Sequence, residues 1–211
     1  MNNHPTNKGL IRRVLLTFIP GIVGIGALFF IPAGTFNYWQ AWLYLSILGL
    51  LTAVAGIYLF LRDPDALRRR LLRREQDSSQ KKSIKISGLF LIAAFVLPGL
   101  DKRWGWSSVP AWVVILSDGL TILAYFLFLM VMRENSYGSR IITVEKGQTV
   151  IQTGPYAVVR HPMYVAMLII YLTEPLALGS YWAMLPALEM IPKVTFSFEA
   201  LRTRYYCQDQ A

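Results

Sequence analysis

Long apolar runs alternate with short polar segments along most of the chain. Four runs approach or reach the roughly 20 residues that a helix needs to cross a bilayer: 14–36, 41–61, 84–100 and 109–132. A fifth apolar region, 163–192, carries Glu174 and Pro175, and then Gly179 and Ser180, near its middle. This region predicts a hairpin of two short helices. The pattern therefore predicts an all-α fold, a polytopic transmembrane helix bundle with five or six membrane segments.

The polar segments divide the chain into two predicted regions. The first, 1–132, holds the N-terminal transmembrane helices and a basic loop, 62–85, whose first part is typical of an amphipathic helix lying on the membrane surface. Interfacial anchoring is favoured for this loop over docking of an acidic partner or anionic lipid. The second region, 133–211, contains a polar loop (141–164), the hairpin (163–192) and a short tail (193–211).

The basic residues lie predominantly on one predicted side of the membrane. The formal net charge is +9, and of the 21 Lys and Arg residues only Lys102 and Arg103 fall on the other side. Positive charge concentrates in cytoplasmic loops, so the N-terminus, the polar loop 141–164 and the C-terminus are predicted to be cytoplasmic. The charge is explained by a surface facing anionic lipid rather than by binding to nucleic acid.

Few side chains suit a metal ion or a disulfide. The chain has one cysteine, Cys207, and two histidines, His4 and His161. These are too few for a transition-metal centre, so no metal is expected. The first apolar run is long and contains Pro20 and Pro32, which favours a retained helix over a cleaved signal peptide.

Glycines and aromatic residues in the apolar runs have packing interpretations. Gly21, Gly24 and Gly26 lie inside an apolar helix, which favours close helix packing over a dinucleotide-binding turn. Several aromatic residues fall at the predicted outer boundaries and predict an aromatic belt: Tyr38, Trp39, Trp42, Trp104 and Trp106.

One acidic residue, Asp118, lies inside the fourth apolar run. A charged group there is costly, so it should face protein or water, with Ser117 or Thr121 of its own helix as hydrogen-bond partners. Structural and functional roles for Asp118 remain equally open, as they do for Glu189 in the last apolar segment.

Polar and ring-bearing residues are concentrated in 153–164, immediately before the last apolar region. Pro162 suits the first position of a helix, because it lacks an N–H that would have no partner there. The preceding His161 should be extended. The helix would direct its free N–H groups and positive dipole end toward this loop, which makes an anion-binding site.

Two short motifs carry a family resemblance: Gly154-Pro155-Tyr156, and then Arg160-His161-Pro162-Met163-Tyr164. They resemble the cofactor motif of the isoprenylcysteine carboxyl methyltransferase family, to which membrane phospholipid methyltransferases are related. Four further segments are similar to bacterial members, so the resemblance extends over roughly residues 35–192: 37–42, 98–101, 133–136 and 175–180.

The resemblance implies a methyl transfer from S-adenosylmethionine, bound near the cytoplasmic surface, to a lipophilic acceptor that enters from the bilayer. An isoprenylcysteine carboxylate is such an acceptor, and because it is already ionised it needs no general base, so no catalytic residue is assigned. Arg160 and Glu199 are candidate substrate residues. By motif position the cofactor-binding residues are Gln148, Thr149, Val150, Ile151, Tyr156, His161, Pro162, Met163 and Tyr164.

The tail differs from the family pattern. Members continue with a pair of adjacent glutamates and a final Tyr-rich helix, whereas 193–211 is shorter and has only Glu199. Three alternatives stay open beside the prenyl-cysteine enzyme, and only the second of them rests on the short tail. They are a methyltransferase for a phospholipid or a small lipophilic thiol or acid, a non-catalytic member that lost activity with its lid, and, least favoured, a small transporter using Asp118 and Glu174.

Overall fold

The computed structural model describes residues 7–62, 67, 78–134 and 153–188. Residues 184–188 are helical, and the other helices are α1 (Asn7–Ala33), α2 (Trp39–Arg62), α3 (Ser78–Trp104), α4 (Ala111–Glu134), α5 (Pro155–Val158) and α6 (Pro162–Ala177). No strand occurs within these segments, which confirms the predicted all-α class.

Three of these helices are long and apolar enough to cross a membrane. They cover Ile11–Ala33, Trp39–Arg62 and Ala111–Glu134, and α6 is a shorter apolar helix of 16 residues. Many large apolar side chains on the long helices are exposed, including Leu16 and Val23 on α1. An exposed apolar helix surface is what a lipid environment requires. The described helices are thus consistent with a membrane bundle of several helices.

Helices α1 and α3 approach each other closely at Gly99. A Cβ added at Gly99 would lie 2.5 Å from the Phe29 carbonyl oxygen and 3.1 Å from the Ala33 backbone nitrogen. Only a residue without a side chain allows this backbone contact. Helices α4 and α6 also pack together, and there the Thr121 and Thr173 hydroxyls are hydrogen-bonded at 2.8 Å.

Helix α6 ends in a turn that glycine makes possible. Gly179 has a φ of +76°, and its N–H donates to the Leu176 carbonyl. The Ser180 N–H donates to the Pro175 carbonyl at 2.9 Å, which satisfies a carbonyl that the helix leaves without a partner. Glu174 and Pro175 were expected near the break, but both lie inside α6, and the turn follows at 178–183.

Contacts between distant segments define two ends of the bundle. At one end the Tyr38 hydroxyl donates to the Leu178 carbonyl, and Asp101 accepts from Ser180. At the other end Thr153 donates to Glu134. The long helices therefore alternate in direction between an end that carries Asp101 and an end that carries the segment 153–164.

Two expectations about single residues are wrong. Tyr38 is 1 % exposed and belongs to the core with Phe29 and Tyr44, so it is not part of an aromatic belt. Asp118 faces protein as expected, at 3 % exposed, but the expected hydrogen bonds are not found, because neither carboxyl oxygen has a hydrogen-bond partner among the described residues. The Thr121 hydroxyl instead pairs with the Ser117 carbonyl and with Thr173, so it does not serve Asp118.

Candidate functional site

The segment before α6 is folded by a glycine and two prolines. Gly154 has a φ of +57°, a left-handed conformation that a side chain would strain. Pro155 then begins the single turn of α5, which ends at Val158, and Val159 is extended (φ −133°, ψ 133°). The chain thus turns at Gly154 and again through α5, and Arg160 and His161 then lie directly before α6.

Helix α6 begins at Pro162, as the sequence predicts, with His161 as the preceding residue. His161 has φ −135° and ψ 65°, and its side chain does not cap the helix. The Tyr164 N–H is hydrogen-bonded to the His161 carbonyl at 3.1 Å. Pro162 has no N–H, so Met163 supplies the first backbone donor of this helix end. Such an end, with its positive dipole, favours an anionic group.

The side chains at this helix start differ in exposure. Pro162 is buried, whereas Arg160, His161 and Met163 are exposed. Tyr156 on α5 and Tyr164 on α6 are half-buried, and the rings of Tyr164 and His161 lie 6.0 Å apart at 49°. Aromatic faces beside backbone donors can bind a ligand that carries both a positive and a negative charge.

Partial burial lowers the pKa of the His161 imidazole below its usual value, and the neighbouring Arg160 guanidinium lowers it further. An imidazole with a lowered pKa is neutral at pH 7 and titrates only at more acidic pH. The fixed positive charge at the helix start is therefore that of Arg160, and His161 adds a second charge only in acid.

Glu134, the last residue of α4, contacts Thr153 and Gly154 and so holds the start of the segment before α6 in place. The Thr153 hydroxyl donates to Glu134 Oε2 at 3.1 Å, and a Cβ at Gly154 would lie 2.9 Å from the Glu134 Cγ. The glutamate thus occupies the space that the missing side chain of Gly154 leaves. Sequence reasoning did not assign Glu134 to the site, although it lies in the family-like segment 133–136.

The structure describes only part of the predicted site. Of the described candidates, Tyr156 lies on α5, and the run Arg160 to Tyr164 leads into and begins α6, where the His161 and Tyr164 rings are neighbours. The other candidates lie outside the described residues: Gln148, Thr149, Val150, Ile151 and Glu199. Their assignment stays a prediction.

An apolar cleft of about 460 Å³ lies between α1, α2 and α4. Helix α4 contributes Phe128 and Met132 to its lining. Met132 and Glu134 are two residues apart, and successive residues in a helix project about 100° apart, so the two point to opposite sides of α4. The cleft and the residues that Glu134 contacts, Thr153 and Gly154, are therefore on different sides of that helix.

Comparison with known proteins identifies one family. The sequence model described as the isoprenylcysteine carboxyl methyltransferase (ICMT) family matches residues 114–204. The match begins within α4, includes α5 and α6, and continues past the last described residue. Comparisons with curated proteins and with solved structures give no match.

Proposed function

We propose that this chain, which belongs through residues 114–204 to the isoprenylcysteine carboxyl methyltransferase family, transfers a methyl group from S-adenosylmethionine to a lipophilic acceptor. One observation carries the proposal. The motif from Arg160 to Tyr164 lies within the matched residues and forms the start of α6, where no side chain caps the helix among the described residues. Three long apolar helices support a reaction at a membrane.

The described residues fit the cofactor's chemistry. The Met163 N–H and the positive dipole end at the start of α6 would bind its amino-acid carboxylate. Tyr156 and Tyr164 would place an aromatic face near its positive sulfur or its adenine. Neutral His161 would bind it without adding a repelling charge. The backbone of Gln148, Thr149, Val150 and Ile151 is proposed to hydrogen-bond the adenine edge.

When bound, the cofactor supplies a methyl group on a positively charged sulfur. A carboxylate acceptor would take this methyl group, forming an O–C bond while the C–S bond breaks and its electron pair returns to sulfur. An ionised carboxylate has no proton to lose, so no general base is required. The protein contributes position and exclusion of water, which can supply about 7 to 11 kcal/mol.

The acceptor's carboxylate needs a positive partner near the reacting atoms. Arg160 is exposed and precedes His161 directly, so we propose that it attracts this group. Glu199 stays a proposed substrate residue. The positive-inside rule supports a cytoplasmic position for this end of the bundle and for both termini, which is part of the proposal.

The direct test is cofactor binding by the full chain in detergent. We expect His161→Ala and Tyr164→Ala each to weaken S-adenosylmethionine binding about tenfold, because an aromatic contact to a cation contributes on the order of 1 kcal/mol or more. Isothermal titration calorimetry measures this affinity. The control is Tyr181→Ala, an exposed tyrosine at the opposite end of the bundle. Folded protein that binds no cofactor at millimolar concentration would refute the proposal.

The bond formed in the product identifies the acceptor class. We expect labelled methyl groups from the cofactor to appear in a membrane extract as carboxyl methyl esters. Mild base hydrolyses such esters and releases labelled methanol, which can be counted after distillation. Label that base does not release as methanol indicates an N-methyl or S-methyl product, and would replace the carboxylate acceptor by a phospholipid amine or a thiol.

A further inference from the structure

The cleft between α1, α2 and α4 is not filled by any side chain of the described helices. Its lining is almost wholly apolar and includes Phe18 and Ile25 of α1 and Leu59 of α2. Gly21 and Gly56 also line it, and a Cβ added at either would meet no atom of the described residues within 4 Å. Its volume of about 460 Å³ is in the range of pockets that hold a small molecule.

Two arginines lie just beyond the cleft, on the same faces of α1 and α2 as the residues that line it. Arg13 lies four residues before Thr17, which lines the cleft and donates to the Arg13 carbonyl at 2.9 Å. Arg62 lies three residues after Leu59. Residues three or four apart share a helix face, so both side chains lie about one turn beyond the cleft lining on α1 and α2, and both are exposed.

We propose that this cleft binds one acyl chain of an anionic phospholipid, with Arg13 and Arg62 at its phosphate. The apolar lining matches the chain, and the arginines match the headgroup charge. The acceptor of methyl transfer is a poorer fit, because its reacting group must reach Tyr164 while the cleft opens on the opposite side of α4. The site is thus separate from the proposed methyl-transfer site.

The charge at the mouth, not the apolar lining, must select the lipid. Lipid tails are as apolar as the side chains that line the cleft, so moving an acyl chain from the bilayer into the cleft gains little hydrophobic free energy. The headgroup interaction with two arginines differs between an anionic and a zwitterionic lipid. A lipid held in this way would join α1 to α2 and α4 and stabilise the bundle by binding the folded state.

Native mass spectrometry of the full chain in detergent tests the site, with phosphatidylglycerol and phosphatidylcholine of identical acyl chains in equal amounts. We expect one phosphatidylglycerol to be retained preferentially. The variant Arg13→Gln/Arg62→Gln should bind it about 30-fold more weakly, equivalent to about 2 kcal/mol. Arg103→Gln, an exposed arginine at the other end of the bundle, should leave binding unchanged.

A second pair of variants tests the cleft itself. Gly56→Leu should fill it and abolish retention of either lipid, whereas Gly24→Leu should not, because Gly24 has equally open surroundings but does not line the cleft. Equal retention of the two lipids, or no effect of the double arginine variant, would overturn the proposal. So would competition by a prenyl-cysteine acceptor, which would assign the cleft to the acceptor tail.

Discussion

Gly99→Ala is expected to destabilise the protein strongly, because it forces α1 and α3 apart. The added methyl would lie 2.5 Å from the Phe29 carbonyl oxygen and 3.0 Å from the Pro32 Cβ. The first of these atoms is backbone and cannot rotate away, so a helix must shift. Overpacking of this kind costs about 1 to 3 kcal/mol and occasionally more. Thermal unfolding in detergent micelles, followed by circular dichroism, should show an apparent melting temperature lower by about 2 to 12 °C.

Gly88→Ala is the matched control on the same helix. A Cβ at Gly88 would meet no atom of the described residues within 4 Å, and alanine is a better helix former than glycine by about 1 kcal/mol. This variant should therefore unfold at the same temperature as the unchanged protein or slightly above it. Equal destabilisation by the two substitutions would mean that replacing either glycine of α3 weakens the protein, and that the close contact at Gly99 is not the cause.

The positions of the helices are predictable from hydropathy, but their contacts are not. The apolar runs 14–36 and 41–61 correspond to α1 and α2. Close packing was expected at Gly21, Gly24 and Gly26, yet Gly21 and Gly24 have open surroundings within the described part of the chain, and of the three Gly26 alone approaches a neighbour there, Leu45, at 3.5 Å. A glycine pattern within one helix cannot specify which face meets another helix. That choice depends on the whole bundle.

In the predicted site, too, the local backbone is predictable from the sequence but the contacts between distant residues are not. The start of α6 follows from Pro162, because proline fixes the backbone of its own residue and restricts the one before it. The contact of Glu134 with Thr153 and Gly154 joins two segments that are separated in the sequence by residues 135–152, and no local pattern predicts such a pairing. Tyr38 was misjudged for the same reason, since its partner, the Leu178 carbonyl, is 140 residues away.

Asp101 is the centre of the network that ties the other end of the bundle together. It is 2 % exposed at the end of α3. The Ser107 N–H donates to Oδ1 at 2.7 Å, and the Ser107 hydroxyl donates to Oδ2 at 2.6 Å. The Ser180 hydroxyl also donates to Oδ2. One carboxyl group thus connects α3, the segment before α4 and the turn after α6.

Asp101→Ala is therefore expected to lower stability by about 3 to 4 kcal/mol, because it leaves buried donors without an acceptor and hydrogen bonds to a charged group are the stronger kind. The apparent melting temperature in micelles should fall by about 10 °C. Asp101→Asn should cost less, since its remaining oxygen can still accept from the Ser107 N–H.

The two Asp101 variants should lose stability but keep their affinity for S-adenosylmethionine. The start of α6 lies at the opposite end from Asp101, and the hydrogen bond between Thr121 and Thr173 holds α6 against α4 between them. Protein that is still folded at low temperature should then bind S-adenosylmethionine within about twofold of the unchanged chain, a difference below about 0.5 kcal/mol. A large loss of cofactor affinity without a loss of stability would contradict this, and would mean that the Asp101 network positions the start of α6 directly.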